Sequence, residues 1–282
     1  MLSFFRSLPY NPVYLRERGR WGQPNRFFGT LSRYSPFVLM GAFIVGICST
    51  SYGLPFTIGL NDELVGYWLL VCLPSFAVQI MLIGALVTVP TLTTPLVSTE
   101  MEQGTWEILR LTPQPMLDLL LAKLFGALAR LKWLWILLLI GTGLQAAGGV
   151  LGMLGALAFV PNDLTEQINM SVVTLLLSVL LVTRPWAEIA FVALLGLNIS
   201  TLVRSTRLGL ATCYIILFIM RTVNGNIVWS IIALLMAEFS NSNELTFALM
   251  TLTPSLVYML ATAGLLLFLI WRAHQLTMSN EQ

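Results

Sequence analysis

The sequence predicts an all-α, polytopic membrane protein with six transmembrane helices, and three observations predict it. Of the 282 residues, 57% are hydrophobic and 10% are charged, whereas globular domains have about 25% charged residues. The mean hydropathy is +0.83. The apolar residues lie in stretches of the roughly 20 residues that a helix needs to cross the hydrocarbon core. These observations exclude two soluble domains, which the length alone would suggest.

The chain divides into three predicted segments. Residues 1–35 are polar and rich in arginine, and no short apolar core with a small-residue cleavage site follows Met1. We therefore expect no removable signal peptide and a cytoplasmic N-terminal segment. Residues 36–272 form the six-span domain, and residues 273–282 form a cytoplasmic tail.

Six apolar stretches are long enough to be spans. They lie at 36–60, 64–89, 131–160, 186–203, 208–228 and 252–271. Two shorter apolar pieces, 172–182 and 229–239, are interpreted as helix extensions, interfacial segments or re-entrant pieces. Pro185 suits the start of a helix, and the neighbouring Arg184 is expected to pair with Glu188 four residues on. Arg221 is expected either to snorkel to the headgroups or to close a re-entrant element with Glu238.

The orientation follows from the cations, because Lys and Arg are retained on the cytoplasmic side of a membrane. They are concentrated before the first predicted span, between the second and third, between the fourth and fifth, and after the sixth. The opposite loops carry acidic residues and no lysine. Both termini are therefore expected to be cytoplasmic, which requires an even number of spans.

Several classes of function are excluded by composition. A net charge of +2 from 15 basic and 13 acidic residues is too balanced for a nucleic-acid-binding protein. Neither Lys123 nor Lys132 belongs to a G-x-x-x-x-G-K-[S/T] phosphate loop, so we expect no ATPase in this chain. A single histidine, His274, does not build a metal site. The sequence therefore predicts no enzyme, no catalytic residue and no metal.

The stretch 97–132 is unusual because its charge density rises between two nearly uncharged spans. Gly104 can end the helix that leaves the membrane, and Thr105 can cap a new one. Glu107 then falls in the first turn, where a negative charge meets the positive end of the helix dipole. Pro113 and Pro115 end that helix.

The resulting short helix, 105–111, is too apolar to lie free in water. Its apolar residues are Trp106, Ile108, Leu109 and Leu111, and its polar ones after the cap are Glu107 and Arg110. Such a helix either binds in a groove of a partner or lies flat at the bilayer surface. The pattern alone leaves both interpretations open.

A specific motif runs through the same stretch: E-x-E-x-G-T-x-E-x-L-x-x-T-P, followed by L-x-x-K. Its residues are Glu100, Glu102, Gly104, Thr105, Glu107, Leu109, Thr112, Pro113 and Lys123. This motif resembles the signature of type-2 ATP-binding-cassette (ABC) permeases. The opening Asn11-Pro12-Val13 with Arg16-Glu17-Arg18 also resembles the N-P-V-x-x-R-E-x-R lead of some members, which lies on an amphipathic helix before the first span. Six spans with cytoplasmic termini fit the same family.

The resemblance implies a permease subunit of an exporter in a prokaryotic cytoplasmic membrane. It would pair with a second permease copy or paralogue and with two cytoplasmic ABC ATPase subunits. The chain itself would need no cofactor, since ATP and Mg²⁺ would bind to the ATPases. The helix 105–111 would be the coupling helix, and the expected ATPase-binding residues are Glu100, Glu102, Gly104, Thr105, Trp106, Glu107, Ile108, Leu109, Arg110, Leu111, Thr112 and Pro113. The turn with Arg204 and Arg207 would either make a second contact or only set the topology.

The cargo is the part of the function on which the sequence is least specific. Gln79, Thr88, Thr212 and Tyr214 can line a path between two permease halves or can serve as interhelical hydrogen-bond partners. The remaining span residues are aliphatic and aromatic, which favours a lipid-like or amphipathic cargo over a multiply charged ion. The alternative function is a non-transporting scaffold or anchor subunit that retains the permease fold. A channel or secondary carrier is disfavoured because no matching half-repeats occur.

Overall fold

The computed structural model describes residues 6–19, 62–106, 114–159, 164–224 and 244–278. The predicted first span at 36–60, the apolar piece 229–239 and Glu238 lie outside these ranges. Most of the predicted coupling helix, from Glu107 to Pro113, lies outside them as well.

The described residues form helices and turns, with no strand among them. The α-helices are α1 (Pro12–Glu17), α2 (Asp62–Thr93), α3 (Pro95–Glu102), α4 (Met116–Ala129), α5 (Lys132–Phe159), α6 (Leu164–Leu202), α7 (Thr206–Thr222) and α8 (Glu244–Met278). A short 3₁₀ helix, Leu8–Tyr10, precedes α1. The predicted all-α class is thereby confirmed.

Three helical stretches are long and apolar enough to cross a membrane: Val78–Glu102, Val182–Leu202 and Ser255–Thr277. A fourth candidate is the bent pair Met116–Ala129 and Lys132–Ala147, whose two helices meet at 76°. The structure therefore supports a multi-pass membrane protein with three or four candidate spans in the described part of the chain. The count of six spans stays a prediction, because the first predicted span lies outside the described residues. The predicted fifth span, 208–228, corresponds to α7, which has 17 residues.

Helix α6 lies at the centre of the bundle and contacts α2, α5, α7 and α8. It is one continuous helix of 39 residues with Pro185 inside it. Of the alternatives for 172–182, the helix extension is therefore confirmed. The prediction that a helix starts at Pro185 is wrong. Prolines are tolerated inside membrane helices, because neighbouring helices and Ser or Thr hydroxyls compensate for the lost hydrogen bond.

Small residues let the central helices approach closely. At Gly196 of α6, an added Cβ would overlap the Thr93 side chain of α2. At Gly141 of α5, an added Cβ would lie 2.6 Å from a Val78 methyl group of α2. Helix α2 is therefore held between α5 and α6 by contacts that depend on glycine.

Helices α6 and α8 run parallel to each other. The Asn198 side-chain amide donates to the Leu265 carbonyl at 3.1 Å, across 67 residues of chain. The rings of Phe191 and Tyr258, which have the same separation in sequence, lie 5.7 Å apart between centroids. Since both pairs keep one register over two helical turns, residues 67 positions apart face each other along this interface.

The break between α4 and α5 lies at Arg130 and Leu131. The Trp135 indole N–H crosses it and donates to the Leu128 carbonyl at 2.7 Å. The predicted third span, 131–160, matches α5, but the apolar α4 before it is a separate, sharply angled helix. At the other end of the chain, α8 continues to Met278, so most of the predicted tail is helical.

The glycine contact between α6 and α2 gives the first prediction. We expect Gly196→Ala to lower the free energy of unfolding by about 1–3 kcal/mol, the usual cost of overpacking. The Thr93 side chain cannot turn away freely, because its hydroxyl donates to the Val89 carbonyl at 3.0 Å. Thermal unfolding in detergent measures the effect. Gly84→Ala is the matched control, since nothing lies within 4 Å of its added Cβ. Equal midpoints for the two variants would contradict this helix crossing.

Candidate functional site

The turn after α3 is a Schellman motif, a helix end closed by two backbone hydrogen bonds. The Thr105 N–H donates to the Glu100 carbonyl at 3.0 Å, and the Gly104 N–H donates to the Met101 carbonyl at 3.4 Å. Gly104 has φ +70°, a left-handed conformation that favours glycine. The prediction that Gly104 ends the helix is confirmed, and helical backbone resumes at Trp106.

A buried ion pair joins this turn to α4. Lys123 is 1% exposed, and its ammonium donates to a carboxylate oxygen of Glu100, which is also buried. A second ammonium hydrogen bond reaches the Leu96 carbonyl at 3.1 Å. The Trp106 ring lies 5.8 Å from the Lys123 nitrogen, within cation–π range. The two charges are thus compensated by each other, by a carbonyl and by an aromatic face.

This pair differs from two sequence-based expectations. The sequence predicts Lys123 among the cytoplasmic charges that set the topology, and it predicts Glu100 among the ATPase-binding residues. Both side chains are instead buried inside the chain. The signal that could have identified the pair is a single lysine within the apolar sequence of α4, because a charge in such a helix requires a partner.

Glu102 connects the same turn to α7. It is exposed, and its carboxylate accepts a hydrogen bond from the Thr206 N–H, the first residue of α7, at 2.9 Å. A carboxylate at this position satisfies a free backbone donor and interacts with the positive end of the helix dipole. Arg204 and Arg207 lie in and just after the turn that leads into α7, and both are exposed.

The structure therefore brings two predicted contact regions together. The turn after α3 and the turn before α7 meet at the Glu102–Thr206 hydrogen bond. Their exposed residues form one polar surface, which we call the two-turn surface. Its members are Glu102, Gln103, Gly104, Thr105, Arg204, Ser205 and Arg207.

Trp106 is oriented differently from the expectation. The sequence predicted a ring presented to a partner, whereas the side chain is 4% exposed and belongs to the core of this chain. Its neighbours in the predicted contact set, Glu107, Ile108, Leu109, Arg110, Leu111, Thr112 and Pro113, lie outside the described residues.

Hydroxyl groups predicted to line a path bond to backbone carbonyls. Thr88 donates to Gly84 at 2.8 Å and Thr212 donates to Leu208 at 2.9 Å, each within its own helix. The Tyr214 hydroxyl donates to the Val87 carbonyl at 2.7 Å, which ties α7 to α2. Gln79 is exposed on α2. For Tyr214, the geometry is that of an interhelical hydrogen-bond partner.

The N-terminal lead packs against α4. The Asn11 side chain accepts from the Val13 N–H at 2.9 Å and so caps α1, whose first residue is Pro12. Glu17 pairs with Arg130 at 3.2 Å, and Gly126 of α4 approaches so closely that its added Cβ would lie 2.6 Å from Glu17. Helix α1 therefore covers the same helix that carries Lys123.

The buried ion pair gives the second prediction. Lys123→Met leaves Glu100 buried without its counter-charge, which typically costs about 3–5 kcal/mol. We expect a large fall in the thermal midpoint of the purified chain. The double variant Glu100→Leu/Lys123→Met removes both charges and should recover most of the loss. Lys132→Met, at an exposed lysine, is the control and should leave the midpoint unchanged. Similar midpoints for Lys123→Met and its control would disprove a structural ion pair.

No protein-family model, no curated protein and no solved structure matches this chain. The similarity to type-2 ABC permeases therefore rests on the motif residues themselves.

Proposed function

We propose that the chain is the transmembrane permease subunit of an ABC exporter in a prokaryotic cytoplasmic membrane. The observation that carries this proposal is that the motif residues Glu100, Glu102 and Gly104 act together at one end of the bundle. Gly104 makes the turn, Glu100 holds α4 through Lys123, and Glu102 holds α7 through Thr206. These contacts give the motif a physical role, because they join α3 to both α4 and α7.

A coupling element must transmit displacement to several helices at once. The end of α3 is tied to α4 by a buried ion pair and to α7 by a hydrogen bond to its first N–H. Helix α3 itself contacts α6, the central helix. Packed interiors shift as bodies and do not deform continuously. A force applied at the two-turn surface would therefore move α3, α4 and α7 together.

The proposed partners are two cytoplasmic ABC ATPase subunits and a second permease copy or paralogue. ATP and Mg²⁺ would be held by the ATPases. The two-turn surface carries exposed groups of both signs, Glu102 against Arg204 and Arg207, which suits a polar interface rim that sets register and association rate. We leave Trp106 out of the two-turn surface because its side chain is 4% exposed and its ring lies beside the Lys123 ammonium.

The exposed residues of the spans favour a lipid-like or amphipathic cargo. Leu260, Leu267 and Trp271 of α8 are all more than half exposed. Within a membrane such a face contacts lipid chains or another subunit.

The third prediction tests the two-turn surface. We expect the double charge reversal Arg204→Glu/Arg207→Glu to reduce the amount of ATPase that co-purifies with the tagged chain by about tenfold, which is about 1.4 kcal/mol. The new glutamates would repel the acidic groups of the partner that the two arginines are proposed to contact at the rim. The matched control is Arg221→Glu, an exposed arginine near the opposite end of the same helix. The readouts are the ratio of ATPase to permease and the ATP hydrolysis of the purified complex.

Two outcomes would contradict the proposal in different ways. If the wild-type chain purifies with an unrelated soluble partner and without ATP hydrolysis, it is a scaffold or anchor subunit. If the ATPase is present but the double variant binds it normally, the ATPase contacts a different surface. A Trp106→Ala variant does not separate these outcomes, because it removes packing around the Lys123 pair.

A further inference from the structure

A second polar cluster lies inside the bundle, far from the two-turn surface. Its centre is Glu188 of α6, which precedes the end of α6 by about 14 residues, on the order of 20 Å at 1.5 Å per residue. Glu188 and Ser255 are each 3% exposed, and Tyr258 is 2% exposed. The Tyr258 hydroxyl is hydrogen-bonded to the side chain of Asn224, which is buried just beyond the end of α7. Two helices and a residue just beyond the end of a third therefore contribute polar groups to one buried region.

The register of α6 and α8 places Glu188 opposite Ser255. Phe191 faces Tyr258 across the parallel interface, and Asn198 faces Leu265 two turns further on. Glu188 and Ser255 lie three residues before Phe191 and Tyr258 respectively. Residues three apart share a helix face. The two side chains therefore lie at the same level of the same interface.

Glu188 and Ser255 each have a buried side-chain oxygen without a hydrogen bond in the described part of the chain. One Glu188 oxygen accepts from the Arg184 Nε at 3.2 Å, but no donor reaches the other. The Ser255 hydroxyl also has no partner there. A buried acceptor without a donor costs free energy, and a carboxylate oxygen costs more than a neutral one. The arrangement is therefore suited to a ligand that supplies N–H or O–H donors.

The remaining groups define the rest of that ligand. The Arg184 side chain is 40% exposed, so its guanidinium connects the buried carboxylate with the outside of the bundle and can bind an anionic oxygen. Leu256 and Leu260, which follow Ser255 in α8, are 52% and 72% exposed, and they provide an apolar surface. Arg184, Leu256 and Leu260 thus lie towards the outside of the bundle, and the Glu188 carboxylate lies inside it.

We propose that this cluster binds the headgroup of a phospholipid that carries a primary ammonium group. The ammonium would donate to the free Glu188 oxygen and to the Ser255 hydroxyl oxygen, and the phosphate would bind the Arg184 guanidinium. The acyl chains would lie along Leu256 and Leu260. Because the headgroup and the Arg184–Glu188 pair are oppositely oriented dipoles, both charges of the lipid find a partner. The site belongs to the chain itself and does not depend on an ATPase.

The test compares two lipids that differ in N–H donors and not in net charge. Phosphatidylethanolamine and phosphatidylcholine with identical acyl chains are offered in equal amounts to the purified full chain, and bound lipids are counted by native mass spectrometry. We expect phosphatidylethanolamine to be preferred by about tenfold, the effect of one hydrogen bond to a charged group. Equal binding of the two lipids would overturn the proposal.

Variants locate the preference at this cluster. Ser255→Ala should reduce it by about threefold without loss of stability, because the hydroxyl has no partner within the described chain. Glu188→Gln, which removes the charge but keeps the shape, should abolish it. The control is Ser200→Ala, a buried serine on α6 whose hydroxyl already donates to the Leu197 carbonyl. If Ser255→Ala retains the full preference, the lipid binds elsewhere and the proposal fails.

A soluble competitor distinguishes the lipid from its headgroup alone. We expect excess O-phosphoethanolamine, which has the ammonium and the phosphate but no acyl chains, to leave the bound lipid in place. Displacement of the lipid by this compound would show that the headgroup suffices, and it would overturn the assignment of a phospholipid.

Discussion

The ion pair between Glu100 and Lys123 is the constraint on which one end of the bundle depends. Removing two charges from water costs several kcal/mol per ion, and their attraction offsets that cost only where the remaining hydrogen-bonding groups are satisfied. The Leu96 carbonyl and the Trp106 ring supply part of that compensation. Because neither charge is stable there without the other, α3 and α4 have one relative position.

The turn after α3 follows from the same constraint. The Glu100 carbonyl accepts from the Thr105 N–H while the Glu100 side chain holds Lys123, so one residue fixes both the helix end and the neighbouring helix. Glu102 then lies on the other side and caps α7. Residues two positions apart on a helix point about 200° away from each other, which explains why the two glutamates of the motif join α3 to two different helices.

The features that the sequence predicts correctly are those that depend on local chemistry. The all-α membrane class followed from apolar length, the end of α3 from Gly104, and the pairing of Arg184 with Glu188 from their spacing of four residues. Burial of Lys123 was not predicted, because a count of cations between spans carries no information about their partners. The prediction that Pro185 starts a helix is wrong for a related reason. A proline at a helix start and a proline inside a span both occur in apolar sequence, and packing against other helices decides whether the helix continues through it.

The two polar clusters differ in how completely the chain satisfies them, and the difference separates their roles. Glu100 and Lys123 each have a partner within the chain, so this cluster is rigid and suited to transmitting displacement. At Glu188 and Ser255, oxygen atoms stay without a donor in the described part of the chain. A ligand that supplies a donor therefore lowers the free energy of that cluster. Both clusters contact α6 directly or through α3 and α7. A ligand bound at Glu188 therefore contacts α6, the same helix against which α3 with Glu100 is packed.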